Sequence, residues 1–442
     1  MASTTLTKTF ASAGNRKTWT FSAWVKRTSL SANVIFSSGL DANYFANIEI
    51  DNNNRKFQFF VYQNATTINL ITTRLFRDTN AWYHIVLAVD STQATASDRV
   101  KLYVNGVQET AFDTAIYPAQ NADNVFNADG YTYRIGVNSD NNGRYFDGLM
   151  SHIHMCDGTQ YQASDFGSTD STTGEWKINT SPSVTYGNNG FFILKDGNSV
   201  TDQSGNSNNF TVASGTLTKT EDCPSNVFAT MNSLDNYYAG STFSDGNTTI
   251  DTGTAGYAAN TSTLGMSSGK YYCEIKATSI GNGYAQFGIK GRVATATNDK
   301  GGTGTDGYIY TASGGNKVNN NTATSYGTVW NSGDIIGIAV DLDNNYLYFS
   351  RNGTWQNSGD PTSGASGTGA AFSLGTPSSG AYYFCTSDND SGATNKYQAN
   401  FGNGYFGTTA VSSAGTNASG NGIFEYDVPT GFTALSTKGL NL

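Results

Sequence analysis

The stretch AVDLDNNYLYFSRNG, Ala339 to Gly353, decides the fold class. It reads as a strand ending in Ala-Val-Asp, a tight turn at Asp343–Asn344–Asn345, and a return strand closed by Asn352–Gly353, a dipeptide suited to hairpin turns. A looser version, AVDSTQATASDRVKLYVNG, runs from Ala88 to Gly106. Around both, the apolar runs are short or alternate with period two, as in TWTFSAWVKR, KFQFFVYQN, WYHIVLAVD, YYCEIKAT and YYFCTSD, and Gly, Asn and Asp bound them. In TWTFSAWVK, Trp19, Phe21, Ala23 and Val25 share one face, and Thr20, Ser22, Trp24 and Lys26 the other. Helical periodicity is nearly absent. The expected fold is all-β, with two antiparallel β-sandwich (jelly-roll) domains in series.

Length and composition agree. The 442 residues exceed one ordinary core. A formal net charge of −9 leaves no basic excess to release counterions, so nucleic acid is not an expected partner. Only 13% of residues are charged, while 13% are aromatic, a balance unlike charge-rich disorder. MASTTLTKTF lacks a basic region followed by an apolar run, so no signal peptide is expected. No apolar run approaches the length of a membrane span, and no membrane insertion is expected. Cys156, Cys223, Cys273 and Cys385 form no C-x-x-C pair and are read as free thiols.

Composition sets the expected boundaries: a first domain over 1–185, a short strand (FFILKD) and hinge over 186–236, and a second domain over 237–442. The hinge contains the linker-like EDCPSNVFATMNSLDNY.

The blocks KTWTFSAWVKR, WYHIVLAVD, VKLYVNG, RIGVNSD and FDGLMSHIHM, in that order, resemble a concanavalin A-like jelly roll of the laminin-G type. That resemblance implies two curved sheets and, in some members, carbohydrate binding at loops of one rim, often with calcium. The second half, with SSGKYYCEIKA, YAQFGIKG, GYIYTASGG, the opening stretch, AYYFCTSD, NFG and VPTGFTAL, resembles a SPRY domain. That family is a compact sandwich that binds protein or peptide through variable loops and is not an enzyme family. The pairing, with the tract DCPSNVFATMNSLDNY, resembles structural proteins of tailed bacteriophages, used in fibres or appendages.

Candidate chemistry is sparse. In IEIDNNNR, Glu49 and Asp51 are co-facial, like the carboxylates of laminarinase-like enzymes, but Asn53 and Asn54 stand where a second Glu is needed. No catalytic residue is assigned. The tripeptide EYD at 425–427 is read as structural. His152 and His154 are spaced to share a strand face, with no evident third zinc ligand. The Asn/Asp turns offer oxygens for one calcium ion, with Asp51, Asn53, Asp202 and Asn206 as its candidate ligands; the alternative is a hydrogen-bonded turn. No other cofactor is expected. Candidate ligand-binding residues are Trp24, Trp355, Tyr310 and Asn352, the aromatic and amide side chains of Tyr- and Asn-rich rims.

The resemblance implies a non-enzymatic virion protein, a tail- or capsid-fibre component made in the host cytoplasm. Its expected partners are copies of itself in a homo-trimer, other virion proteins and a host-surface glycan. A purely structural connector and a polysaccharide depolymerase are the alternatives.

Overall fold

The structure is a computed structural model describing residues 4–31, 33–51, 54–139, 143–195, 199–236, 240–253, 257–281, 283–293, 295–296, 299–389, 392 and 394–441. Among them there is no α-helix, and no helix long and apolar enough to cross a membrane. The chain divides into two compact units, Met1–Lys219 and Thr220–Leu442, each a β sandwich.

In the first unit, an eight-stranded sheet runs from Phe112–Ile116 through Thr66–Leu75, Lys56–Gln63, Tyr44–Ile50, Asn33–Asp41, Thr132–Ile135 and Thr5–Thr9 to Thr211–Ser214. A six-stranded sheet runs Phe191–Ile193, Gly148–Asp157, Thr18–Arg27, Tyr83–Asp90, Val100–Val104, Val107–Gln108. Alternation fills the space between them: Trp19, Phe21, Ala23 and Val25 pack with Ile48, Phe57, Phe59, Val61, Ile85 and Leu87 in one core. A smaller layer covers the other face of the six-stranded sheet. There Val86, Tyr103 and Cys156 lie beneath Ala163, Phe166, Trp176 and Tyr186 of the segment 159–187.

In the second unit, the longer sheet runs Thr242–Ser244, Thr249–Asp251, Lys396–Asn400, Lys270–Ser279, Ile335–Asp341, Tyr346–Arg351, Thr354–Trp355. Phe372–Ser373 pairs beside it, and Thr433–Ala434 adds a short parallel pairing to Lys270–Ser279. The other sheet has six strands: Ala258–Thr261, Tyr383–Asp388, Ala285–Lys290, Gly307–Thr311, Asn316–Asn319, Thr322–Ser325. Ile275, Phe287, Tyr310, Ile338, Phe349 and Phe384 fill the core between them. The far face of the longer sheet is covered by the C-terminal segment, with Tyr272 and Tyr348 packed under Phe424, Val428 and Phe432.

Both quoted stretches are hairpins. Ile336 through Asp341 pairs in register with Arg351 through Tyr346, and Ile85 through Val89 with Val104 through Val100. The Asn-Gly dipeptides then turn the chain into two-residue return strands, with φ of 48° and 81° at Asn105 and Gly106, and 47° and 78° at Asn352 and Gly353. These left-handed values are why Asn and Gly stand there.

The expected hinge over 186–236 is placed differently. Phe191–Ile193 and Thr211–Ser214 are edge strands of the first unit. Phe228, Ala229 and Met231, from the linker-like tract, are buried in the second. The polar stretch masked this because its few apolar residues each fill a place prepared by distant strands.

Candidate functional site

The four predicted ligand-binding residues do not form a site. Trp24 does lie on the outer face of its strand, but it is 4% exposed and stacks on His84, with ring centroids 4.8 Å apart. Tyr310 is fully buried, in phase with Tyr308 in the core, and its hydroxyl donates to the carbonyl of Thr328. Asn352 clasps the hairpin: its Oδ1 accepts from the Ile335 N–H at 2.8 Å, and its Nδ2 donates to Asp334 at 2.6 Å. Trp355 is half-buried, edge-on to Tyr272 at 6.4 Å within the covering layer. Each is taken up by packing or turn geometry that alternation alone does not reveal.

Of the calcium candidates, Asn53 lies outside the described residues. Asp51 accepts the Asn54 N–H at 3.2 Å. Asp202 accepts four hydrogen bonds, from the N–H groups of Phe192, Ser204 and Asn208 and the Ser204 hydroxyl, at 2.7–2.9 Å. Asn206 donates to the carbonyls of Gly187 and Gly190. Asp202 and Asn206 thus pin the strand Phe191–Ile193, an Asx-type turn rather than an open oxygen cage. Among the described residues, no group of three His, Cys, Asp or Glu side chains could hold a metal ion.

The three histidines converge, although His84 comes from a strand far from the other two in sequence. His84 Nε2 meets the Ser22 hydroxyl at 2.9 Å, and its Nδ1 accepts the Trp176 indole N–H at 3.0 Å. His154 Nδ1 meets the Tyr186 hydroxyl at 2.9 Å, and its ring stacks on Phe192 with centroids 3.9 Å apart. A register shift between Ser151 and His154 breaks the simple alternation, and His152 adopts φ 50°. Burial, followed by the neighbouring His152, lowers His84 to about 3 and holds His154 well below the ordinary imidazole value. These neutral rings tie a cover down; they are not placed to exchange protons with a substrate.

The most developed surface of the first unit is the outer face of its eight-stranded sheet. Register sets Phe45 opposite Tyr62, Asn47 opposite Phe60, and Glu49 opposite Gln58, while Asn69 lies beside Phe60. Phe45, Phe60 and Tyr62 are half-buried, and their ring centroids lie 5.7–6.5 Å apart. Gln58 Nε2 donates to Asn69 Oδ1 at 2.8 Å along one side of this strip. On the other side Glu49, 4% exposed, receives two bonds from Arg144 Nη1 at 2.7 and 2.8 Å. Arg144 Nη2 also donates to the Asn47 side-chain oxygen at 3.0 Å. The carboxylate that tempts an enzymatic reading is therefore neutralised within the fold. The signal for the aromatic strip was present in KFQFFVYQ, where Phe60 and Tyr62 fall in phase with Lys56 and Gln58, on the polar face.

Residues 3–163 match the family profile described as the concanavalin A-like lectin/glucanases superfamily, and residues 270–402 that of the SPRY domain. The chain therefore carries a concanavalin A-like domain followed by a SPRY domain. No match was found among curated proteins. Among solved structures, the SPRY domain of human HERC1 is similar at 16% identity and a TM-score of 0.31, over 38% of this chain and 96% of that one. Domain 4 of AbnA, a GH43 extracellular arabinanase from Geobacillus stearothermophilus in complex with arabinotriose, is similar at 20% identity and 0.27, over 33% and 64%. A heptameric SAP-like pentraxin from Limulus polyphemus is similar at 14% and 0.30, over 44% and 86%.

Proposed function

We propose that this chain is a non-enzymatic adhesive component of a tailed-bacteriophage fibre or appendage, gripping a host-surface glycan and assembling as a homo-trimer with other virion proteins. The adhesive reading rests on one observation, the strip of Phe45, Phe60 and Tyr62 flanked by the amides of Gln58 and Asn69. Aromatic faces stack on the apolar faces of sugar rings, and side-chain amides exchange hydrogen bonds with hydroxyls. The engagement of Glu49 by Arg144 supports binding without hydrolysis, because a retaining mechanism needs two free carboxyls about 5 Å apart. The virion setting is supported by the domain pairing and by the DCPSNVFATMNSLDNY tract.

The test is binding to host-envelope polysaccharide by the full chain and by a Phe60→Ala/Tyr62→Ala variant, with reducing ends assayed in parallel. Binding weakened more than tenfold by the double substitution, without release of reducing ends, is the expected result. Release of reducing ends overturns the non-enzymatic reading, and no binding in either form leaves the connector role.

A further inference from the structure

The outer face of the second unit's six-stranded sheet holds a groove of about 360 Å³. Its floor is written by strand register. Gln286 lies opposite Thr311 on one neighbouring strand and Ser387 on the other, while Ala285, Phe287 and Ile289 point into the core. In the next row Gly288 stands opposite Ile309, and Ile309 opposite Val318, so a small apolar patch adjoins the polar row. One wall is the segment Lys300–Gly302, laid flat on the sheet. A Cβ on Gly301 would stand 2.9 Å from Ile309, and one on Gly302 2.9 Å from Val318. Gly301 N–H donates to the Ser387 hydroxyl, and Asn321 N–H to the Gly302 carbonyl. The opposite rim carries Tyr284, 46% exposed, and Asn389.

Two features of this groove are costly to the fold. Gln286 is 4% exposed, and its buried Oε1 has no hydrogen-bond partner; Asn389 Oδ1 is likewise buried and unpartnered. A buried acceptor left unsatisfied works against stability, and where it lines a groove a bound hydroxyl can supply the missing donor. Lys300 completes the set: its ammonium sits 4.1 Å from the Tyr257 ring centroid, and none of the described carboxylates forms an ion pair with it.

We infer that this groove is a second binding site, for a pyranose saccharide carrying a carboxylate. Its hydroxyls donate to Gln286 Oε1 and Asn389 Oδ1, its carboxylate faces Lys300, and its ring lies along Tyr284. A peptide is the poorer fit, because the floor strand Ala285–Lys290 is paired on both sides and offers no free main-chain groups for strand addition. Recognition falls to side-chain amides and hydroxyls, which suits a polyol. The volume accommodates one or two sugar rings, at the small end of the ligand-pocket range. The chain's net charge of −9 works against an anionic ligand at long range. At physiological salt that repulsion is largely screened beyond roughly 8 Å, which leaves the local charge of Lys300 to act on the ligand.

The experiment is calorimetric titration of the full chain at physiological salt with oligogalacturonate, a neutral gluco-oligosaccharide of equal length, and an oligo-aspartate of equal charge. The expected result is binding of the uronate at least tenfold tighter than the other two. Lys300→Met should erase the preference over the neutral sugar. Gln286→Leu should abolish binding while raising the melting temperature, because it removes the unpaired buried oxygen; a merely structural glutamine would not produce that combination. Equal binding of the neutral sugar or of the peptide, failure to bind the uronate, or binding unaffected by Gln286→Leu overturns the site. Loss of uronate binding on Phe60→Ala/Tyr62→Ala, with Gln286→Leu neutral, overturns this inference while leaving the first-unit reading standing.

Discussion

The Asn105–Gly106 and Asn352–Gly353 turns do the same mechanical work under different covers. In each, the Asn side-chain oxygen and backbone N–H close on the residue that opens the hairpin, His84 in one and Ile335 in the other. In each, an aromatic ring from a later segment rests on the glycine, where a Cβ would run into Trp176 or into Tyr426. The anchors of the two covers differ. In the first unit the cover is tied through neutral, buried histidines, with Trp176 donating to His84 and Tyr186 bonded to His154. In the second it is tied to a buried carboxylate: Glu274 accepts the N–H groups of Glu425 and Tyr426 at 2.8 Å. One hairpin grammar thus serves two families, and the chemistry of the cover is free to vary.

The largest expected consequence is opposite pH behaviour of the two units. His84 and His154 titrate below the ordinary imidazole value, so the folded first unit binds fewer protons than its unfolded chain below pH 6.5. Its stability falls as pH drops from 6.5, by roughly 3 kcal/mol from His84 by pH 4.5, and His154 acts in the same direction. Burial raises Glu274 from 4.5 to about 7, so the folded second unit holds an extra proton in that window. Its stability rises by about 3 kcal/mol as pH falls from 7 to 4.5, where the depressed carboxylates Asp299 and Asp334 are still ionised. Hydrogen exchange by mass spectrometry on the full chain, corrected for intrinsic rates, resolves the units separately; parallel pH slopes would break the comparison. Glu274→Gln should flatten the second unit's slope alone.

Next in size are the glycines. Gly106→Ala and Gly353→Ala each place a Cβ against a ring at positive φ, and each should destabilise its own unit by about 2–4 kcal/mol in denaturant melts. An effect in only one unit would show that its cover yields. The smallest difference lies in the asparagines. Asn105→Ala removes the clasp on His84 at about 1–2 kcal/mol. Asn352→Ala should cost about 1 kcal/mol more, because it also strips the bond to Asp334. Equal losses in matched melts would mean that the Asp334 contact contributes nothing.

Alternation along TWTFSAWVK correctly separates Trp19, Phe21, Ala23 and Val25, all fully buried in the core, from Trp24 on the far face. It cannot say that this far face is itself covered, because Phe166, Trp176 and Tyr186 come from a polar stretch without strand periodicity. Tyr310 looked like a rim residue because its neighbourhood is rich in Tyr and Ser, yet the register Phe287 opposite Tyr310 places it in the core. The groove on the second unit was not legible either. Gln286 reads as one polar residue in an apolar strand, and its isolation emerges only when the Lys300–Gly302 segment is laid over the sheet.

By itself, the sequence determined the all-β class, most of the strands, the two Asn-Gly turns and the order of two sandwich families. Those features are local, set by side-chain alternation and by the backbone conformations that Asn and Gly tolerate. The tertiary structure alone decided which faces are covered, that His84 joins His154 beneath Trp176 and Tyr186, that Arg144 neutralises Glu49, and that Gln286 keeps an unpaired oxygen. Each depends on segments distant in the chain meeting across a sheet, and burial, ion pairing and hydrogen-bond satisfaction exist only once they have met.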